Sequence, residues 1–359
     1  MGTMSDGISI VIVAYNSATY IVPCLESIYE QEVNFHFEVI VLDNASADET
    51  VSIIKNLFPQ VKLIESGENQ GFARGNNSAV SQSCLDNIFL LNPDTKLSKG
   101  ALTDLYKEIE KCESQKAIIL PMQLNYDTGQ FLNCGLGLDI FGFPINEGVK
   151  ANFFYADGAA IFMRKADFVE LGMFDEVMFL IQEDVDLSWK ARLLGFSLIR
   201  AENIVIFHKS GHSIDDQADK SKSFSSSRFR RYYGERNSLR NMLKNYSIPS
   251  LIWILPITTS IVLVEILMFI LIGNPKAGLS YIQAYYWNII NIRDTLKKRK
   301  FIQNQRTVGD FVILGAMYKG SAKFKLLLKV GIPKVKTRSG PVCLDRISCF
   351  ISEVLPVIA

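Results

Sequence analysis

The sequence predicts an α/β protein, a mostly parallel sheet flanked by helices, followed by a C-terminal membrane-associated helical region. Three observations carry this. Short β-branched apolar runs alternate with helical patterns over the first hundred residues, several of these runs end on Asn or Asp, and residues 248–272 are apolar with Glu265 as their single charge. Residues 8–14 form the first strand and stop at Tyr15 and Asn16, after which Ile21, Leu25 and Ile28 share a helical face. Residues 37–42 form a second strand ending at Asp43, and Ser46, Asp48 and Glu49 supply the cap and first-turn acids of a helix through Ile53, Ile54 and Leu57. A third strand, 61–64, leads into a loop rich in Gly and Asn over 67–77. Residues 88–91 read as a fully buried strand that Pro93 stops, so Asp94 projects from the carboxyl end of the sheet. No GxGxxG follows the first strand, which disfavours a dinucleotide fold. Glycines scattered among short apolar runs over 117–163 indicate irregular strands and loops above a substrate cleft, with Asp157 and Gly158 as cleft candidates.

A chain of 359 residues holds one large α/β domain plus an appendage, or two domains. The expected division is a catalytic domain over 1–245, a membrane-embedded hairpin or re-entrant segment over 246–295 and a basic amphipathic tail over 296–359. Lys and Arg number 38 against 37 Asp and Glu, a net charge of +1 that argues against a generally basic nucleic-acid binder. Six cysteines are scattered without a CxxC pair or a neighbouring His, and read as buried thiols in a reducing compartment. Residues 1–7 lack the basic start and the cleavage site of a signal peptide, so the catalytic part is expected in the cytoplasm. Asn44 matches a glycosylation pattern that such a location makes a chance match.

The residues at strand ends carry the candidate chemistry, because ligands of open α/β sheets bind at the carboxyl edge. Asp43, with Asn16 beside it, can accept the imide N–H of uracil or thymine, although an Asp there also serves as a helix cap. In the run from Asn69 to Asn77, Gly71 permits close backbone approach and Arg74 can pair with phosphate, unless this is an ordinary connection. Asp94 is a hard ligand for Mg²⁺ or Mn²⁺ carrying a diphosphate, unless Asn92 and Asp94 simply form a solvated turn. His208, at the end of a strand over 204–207, is a second candidate ligand, though a lone His is more often structural. Asp184 is the candidate general base, opening the helical pattern of Leu187, Ala191 and Leu194, with Glu183 in the same cleft. The alternative for Glu183, Asp184 and Asp186 is that they complement the helix dipole.

Taken in order, these motifs resemble family 2 glycosyltransferases of the GT-A fold, especially rhamnosyltransferase-like members, over about residues 8–240. The resemblance rests on Val13-Ala14-Tyr15-Asn16, on Leu42 through Ser46, on Asn69-Gln70-Gly71-Phe72-Ala73, on Asn92-Pro93-Asp94, on Glu183-Asp184-Val185-Asp186, and on His208 with Gly211 and Ser213. It implies the GT-A nucleotide-diphospho-sugar transferase fold and an inverting, metal-dependent transfer from a UDP- or dTDP-sugar, rhamnose among the candidates. By the same resemblance Tyr15, Asn16, Asp43, Asn69, Gly71, Arg74 and Asn92 hold the donor nucleotide, and Asp94 with His208 holds the metal. Asp184 is then the base, with Asp157, Gly158 and Glu183 on the acceptor side of the cleft. Asn92 stands where the family pattern has Asp. Tyr232, Tyr233, Arg236 and Asn237 also look like this subgroup and receive no chemical role.

Residues 248–272 span roughly 37 Å as a helix, enough for a hydrocarbon core of about 30 Å. Asn274, Pro275 and Gly278 turn the chain before the aromatic run 281–292, and basic residues flank both sides. The positive-inside tendency then favours a hairpin or re-entrant pair that returns 297–300 to the cytoplasm, with the stretch 323–336 as an interfacial helix on lipid. The whole predicts a glycosyltransferase on the cytoplasmic face of the cell membrane, using a nucleoside diphosphate sugar and a polyprenyl-linked or glycan acceptor, with membrane lipid as a partner and nucleic acid not. Two alternatives are a sugar nucleotidyltransferase and a non-catalytic membrane-bound sugar-nucleotide sensor.

Overall fold

The computed structural model describes residues 5–112, 115–145, 153–209, 225–330 and 334–335. The expected alternation is present: β1 (Ser5–Ala14), α1 (Ile21–Tyr29), β2 (Phe37–Asp43), α2 (Thr50–Leu57), β3 (Lys62–Glu65), α3 (Gly71–Ser81) and β4 (Leu85–Leu91). There follow β5 (Thr95–Leu97), α4 (Ala101–Glu110), β6 (Ala117–Asn125) and the short strands β7 (Phe131–Asn133), β8 (Gly137–Leu138) and β9 (Pro144–Ile145). Next come β10 (Ala160–Arg164), α5 (Lys165–Glu170), α6 (Glu183–Leu193) and β11 (Ser197–His208). The chain continues as helices: α7 (Arg228–Asn245), α8 (Ile248–Leu271), α9 (Pro275–Ile290), α10 (Ile292–Gln305), α11 (Asp310–Ala316) and α12 (Ala322–Val330).

The main sheet runs β3-β2-β1-β4-β10-β6-β11-β5, with β7 added beside β6. Strands β3, β2, β1 and β4 pair in parallel, β10 is antiparallel to both its neighbours, and β6 and β11 therefore resume the direction of β4. This mostly parallel sheet, covered on both faces, is a GT-A-like α/β fold. The alternation of β1 shows why it is covered twice. Ile8, Ile10 and Ile12 pack with Leu25, Leu102 and Phe162 on one face, while Val11 packs with Val80, Phe168 and Leu187 on the other.

The antiparallel strand positions the site. Ala160 pairs with Leu91, so the turn just before β10 lies beside the residues that follow β4, and the Asn92 N–H donates to Ala159 O at 2.9 Å.

Three expectations need correction. The Gly- and Asn-rich stretch is not a loop throughout, since α3 begins at Gly71. Its residues are poor helix formers, but burial of Ala73, Asn77 and Val80 against the sheet outweighs propensity. Ser46 does not cap α2, because its hydroxyl accepts from the Asn16 N–H, and Asp48 alone reaches the Thr50 N–H. Cys84 is exposed, while Cys24, Cys112 and Cys134 are buried and free; Cys343 and Cys349 lie outside the described residues.

A third apolar cluster crosses residue 245, joining Phe154 and Trp189 to Met242, Tyr246, Ile254 and Ile313. The turn expected near Asn274 is present: Gly273 has φ +76°, and the Asn274 side chain accepts from the Ala277 N–H. Residues 331–333 and 336 of the expected interfacial stretch lie outside the described residues.

Candidate active site

Two groups of side chains meet along the carboxyl edge of β1, β2, β4 and β11. At the first, β1 and β2 end in register at Ala14 and Asp43, and the Asn44 N–H donates to Ala14 O at 2.7 Å. Asn16 takes φ +49° and Ala45 φ +61°, conformations that short side chains tolerate and that local hydrogen bonds must hold. Those bonds are present: Asn16 Oδ1 accepts from the Ala47 N–H, and Asp43 Oδ2 accepts from the Ser46 N–H. The other carboxylate oxygen, Asp43 Oδ1, is buried and has no hydrogen-bond partner among the described residues. It is a free acceptor at the floor of the crevice, with Tyr15 exposed at its edge.

Asn44 ties this group to α3. Its amide donates to Asn69 Oδ1 and Gly71 O, and its Oδ1 accepts from the Gln70 N–H. Gly71, at φ +74°, makes its close backbone approach to Phe179, since a Cβ there would lie 2.5 Å from Phe179 O. Arg74 is half exposed on α3, 3.8 Å from Glu68.

At the second group, Asp94 is buried, and both its carboxylate oxygens lack a hydrogen-bond partner among the described residues. A carboxylate in this state is costly unless a cation completes it. His208 Nε2 lies 3.5 Å from Asp94 Oδ1, and the Asp94 carbonyl accepts from the Lys209 N–H, which fixes the two strand ends together. His208 Nδ1 sits 3.0 Å from Gln123 Oε1, so a proton on Nδ1 has an amide oxygen to accept it and Nε2 is the ring nitrogen left to face the Asp94 side. Burial works against protonation of His208, yet the Asp94 carboxylate prevails and raises its pKa. The carboxylate oxygens suit Mn²⁺ or Mg²⁺, and an imidazole beside them favours Mn²⁺, the softer of the two. No group of three or more His, Cys, Asp or Glu side chains has metal spacing among the described residues, so these two ligands would leave positions for phosphate oxygens and water.

Asp157 and Gly158 connect this pair to the candidate base. Asp157 accepts from Asn133 Nδ2 and from the Ala159 N–H, while the Gly158 N–H donates to Asp184 Oδ2 at 3.1 Å. Asp184 also accepts from its neighbour, the Val185 N–H. Burial, reinforced by the Asp157 charge, pushes the Asp184 carboxyl up to about 7. Glu183 is more deeply buried, and burial and the Asp184 charge raise it well above the ordinary range, which leaves Asp184 as the carboxylate that ionises near neutrality. Asp186 has a different task, pairing with Lys190 and Lys244 in the interior.

The turn that presents Asp184 is strained. Phe179, Ile181 and Gln182 all have φ between +65° and +72°, just before α6. What holds it is α7. Asn237 Nδ2 donates to Met178 O, Leu180 O and Ile181 O, Arg236 Nη2 donates to Val177 O and Met178 O, and Asn241 donates to Gln182 O. Arg236 and Asn237 thus gain a structural role that the sequence left open. Gln123, Asn133 and Asn241 were missed altogether. A shallow concavity of about 430 Å³ lined by Asp6, Asn87, Tyr106 and Arg164 lies at the opposite edge of the sheet and holds none of these groups. Gly211 and Ser213 lie outside the described residues.

This fold and crevice define a GT-A enzyme architecture. Residues 9–170 match the family model described as glycosyl transferase family 2. The hexosyltransferase Agl10 of low-salt glycan biosynthesis in Haloferax volcanii is 23% identical over 232 residues, covering 57% of this chain and 68% of its own. The minor teichoic acid biosynthesis protein GgaA of Bacillus subtilis is 29% identical over 179 residues, 47% of this chain and 39% of its own. Glycosyltransferase GlyG of Streptococcus pneumoniae is 26% identical over 127 residues, 34% and 41% of the two chains. The chain thus spans less than half the length of GgaA and of GlyG. Among solved structures, GalNAc-T7 with UDP, GalNAc and Mn²⁺ superposes with a TM-score of 0.53 at 14% identity, over 66% of this chain and 47% of that one. Residues 9–170 of the protein thus carry the match to a family 2 glycosyltransferase domain.

Proposed function

We propose that the protein is an inverting, metal-dependent glycosyltransferase. It moves a sugar from a UDP- or dTDP-sugar to a lipid-linked or polysaccharide acceptor of the cell envelope, at the cytoplasmic face of the membrane. The observation that carries this reading is the pairing of a buried, unpartnered Asp94 beside His208 with a carboxyl poised near 7 at Asp184, bridged by Asp157 and Gly158.

Asp43 Oδ1, buried without a partner among the described residues, would accept the imide N–H of the base, and Asp94 with His208 would hold the ion. When bound, that ion neutralises charge gathering on the departing diphosphate. Asp184 takes the proton of the acceptor hydroxyl as its oxygen forms a bond to the anomeric carbon. The bond from that carbon to the diphosphate oxygen breaks on the opposite side, so configuration inverts and the nucleoside diphosphate leaves. The named activities of Agl10 and GgaA support a glycan acceptor, and the UDP and Mn²⁺ of the GalNAc-T7 structure support the donor class. Helix α8, long and apolar enough by length and composition to cross a membrane, supports a lipid partner. Calorimetry with UDP- and dTDP-sugars tests the donor: binding with Mn²⁺ that EDTA abolishes is expected, and unchanged affinity in EDTA would remove the metal from the reading.

A further inference from the structure

We infer that α8 lies flat in one leaflet of an anionic membrane surface and does not cross the bilayer. The inference rests on the membrane reading above and adds the orientation. Composition alone makes α8 a span. Its packing does not. Ser250, Ile254, Thr258, Val262 and Phe269 are its buried residues, packed toward α7 and α9, and the side-chain contacts that follow order α8 antiparallel to α7. Thr258 Oγ1 meets Met242 Sδ, Glu265 meets Glu235 through the shared Lys323 ammonium, and the Arg231 guanidinium lies 4.7 Å from the Phe269 ring centroid. Helix α9 returns along the same partner, with Arg231 Nη1 donating to Tyr281 Oη and Asn288 Nδ2 to Arg236 O. Gly278 sits where a Cβ would touch Ile266 of α8 at 3.4 Å. For α8 to cross, it would have to leave α7 and abandon Glu265 in hydrocarbon, where an unpaired carboxylate is strongly disfavoured.

The outward face of α8 has the opposite character. Ile252, Trp253, Leu263, Val264, Leu267 and Leu271 are exposed, and no exposed charged residue lies on the helix. A surface helix in water carries polar residues on that face. Two neighbours extend it. The Ser247 N–H donates to Asp310 at the start of α11, which places Phe311, 93% exposed, beside the first turn of α8. Lys323 brings α12 to Glu265, with Phe324 and Leu328 exposed. The rim is basic: Arg228 and Arg230 at the start of α7 and Lys276 at the start of α9 are exposed around the hairpin tip. An apolar face about 30 Å long with a cationic rim fits an anionic lipid surface.

The test uses the full chain with Cys84, Cys343 and Cys349 changed to Ser, and single cysteines introduced as Ile252→Cys, Leu263→Cys or Leu271→Cys. Each carries an environment-sensitive fluorophore, in phosphatidylcholine–phosphatidylglycerol vesicles containing lipids spin-labelled at known depths. All three sites at one similar, shallow depth is the expected result. Leu263→Cys at the bilayer centre, with the other two at opposite surfaces, would overturn the inference, as would no lipid quenching at any site. A double variant, Leu263→Glu with Leu267→Glu, should lose vesicle binding by at least about tenfold with an unchanged melting curve; undiminished binding would also overturn it. Donor turnover is read separately in detergent, so failure of the transferase reading would leave the vesicle result standing.

Discussion

Asp184→Asn separates catalysis from stability in opposite directions. The carboxyl titrates at about 7 in the folded protein against an ordinary 3.8, so folding disfavours its charged form. Below about 3.8 the group is protonated whether folded or not, and it costs nothing. Between there and about 7 the unfolded chain ionises while the folded one does not, and stability falls with rising pH; above 7 the loss is constant. That interval is worth on the order of 4 kcal/mol, an upper limit because one edge of Asp184 reaches solvent. Asparagine keeps an oxygen for the Gly158 N–H and carries no charge. The variant should therefore melt higher than the parent at pH 8 and close to it at pH 4. Its turnover should fall by about two to four orders of magnitude with donor binding kept. In the parent, kcat/KM should rise with pH and level off near 7, whereas residual activity of the variant should lack that rise. Paired melting curves and donor titrations at the two pH values give the answer. Equal melting temperatures at pH 8, or near-normal turnover, would refute the assignment of the base.

Asp94→Ala removes a buried carboxylate with no hydrogen-bond partner among the described residues, so the metal-free variant should melt no lower than the parent while donor binding loses its response to Mn²⁺; a lower melting temperature in EDTA would show that Asp94 is structural. Gln123→Leu frees His208 Nδ1, and metal affinity measured by titration should drop about 10- to 100-fold with the fold intact. Asn237→Ala deletes the amide whose two N–H groups are shared among three carbonyls of the turn that carries Asp184, which should cost about 2–4 kcal/mol in denaturant unfolding and lower kcat more than it raises donor KM; an unchanged kcat would show that the turn holds itself.

The first four strands were legible because their signal is local: apolar runs of four to ten residues, three of them closed by Asn, Asp or Pro, need no knowledge of the tertiary structure. The placement of Asp43, Asp94 and His208 at strand ends and of Asp184 at the start of α6 was legible for the same reason, as polar residues after apolar runs. Other features depend on distant partners. Helix α3 is decided by burial of small residues against the sheet, which overrides an unpromising run of Gly and Asn. Gln123 lies in mid-strand with nothing in its neighbourhood to mark it as the residue that orients His208, 85 positions away. Asn44 read as a chance glycosylation match, yet it joins the end of β2 to the start of α3 through three hydrogen bonds, to Asn69, Gln70 and Gly71. Arg236 and Asn237 showed their pattern but not their purpose, because the strained turn they hold lies more than fifty residues upstream. The length and apolarity of α8 were visible, whereas its attachment to α7 through Lys323 requires the fold.

Base-assisted displacement in a single step makes the sharpest claim, and the stereochemistry of the product reads it directly. With a UDP- or dTDP-sugar, Mn²⁺ and a glycan acceptor, the anomeric proton coupling of the isolated product, measured by nuclear magnetic resonance, is expected to show inversion relative to the donor. Its rate of formation should fall by about two to four orders of magnitude with Asp184→Asn, and it should disappear with EDTA. A product of retained configuration would contradict the account, because it would require either a covalent intermediate or front-side attack in place of the single displacement assigned to Asp184.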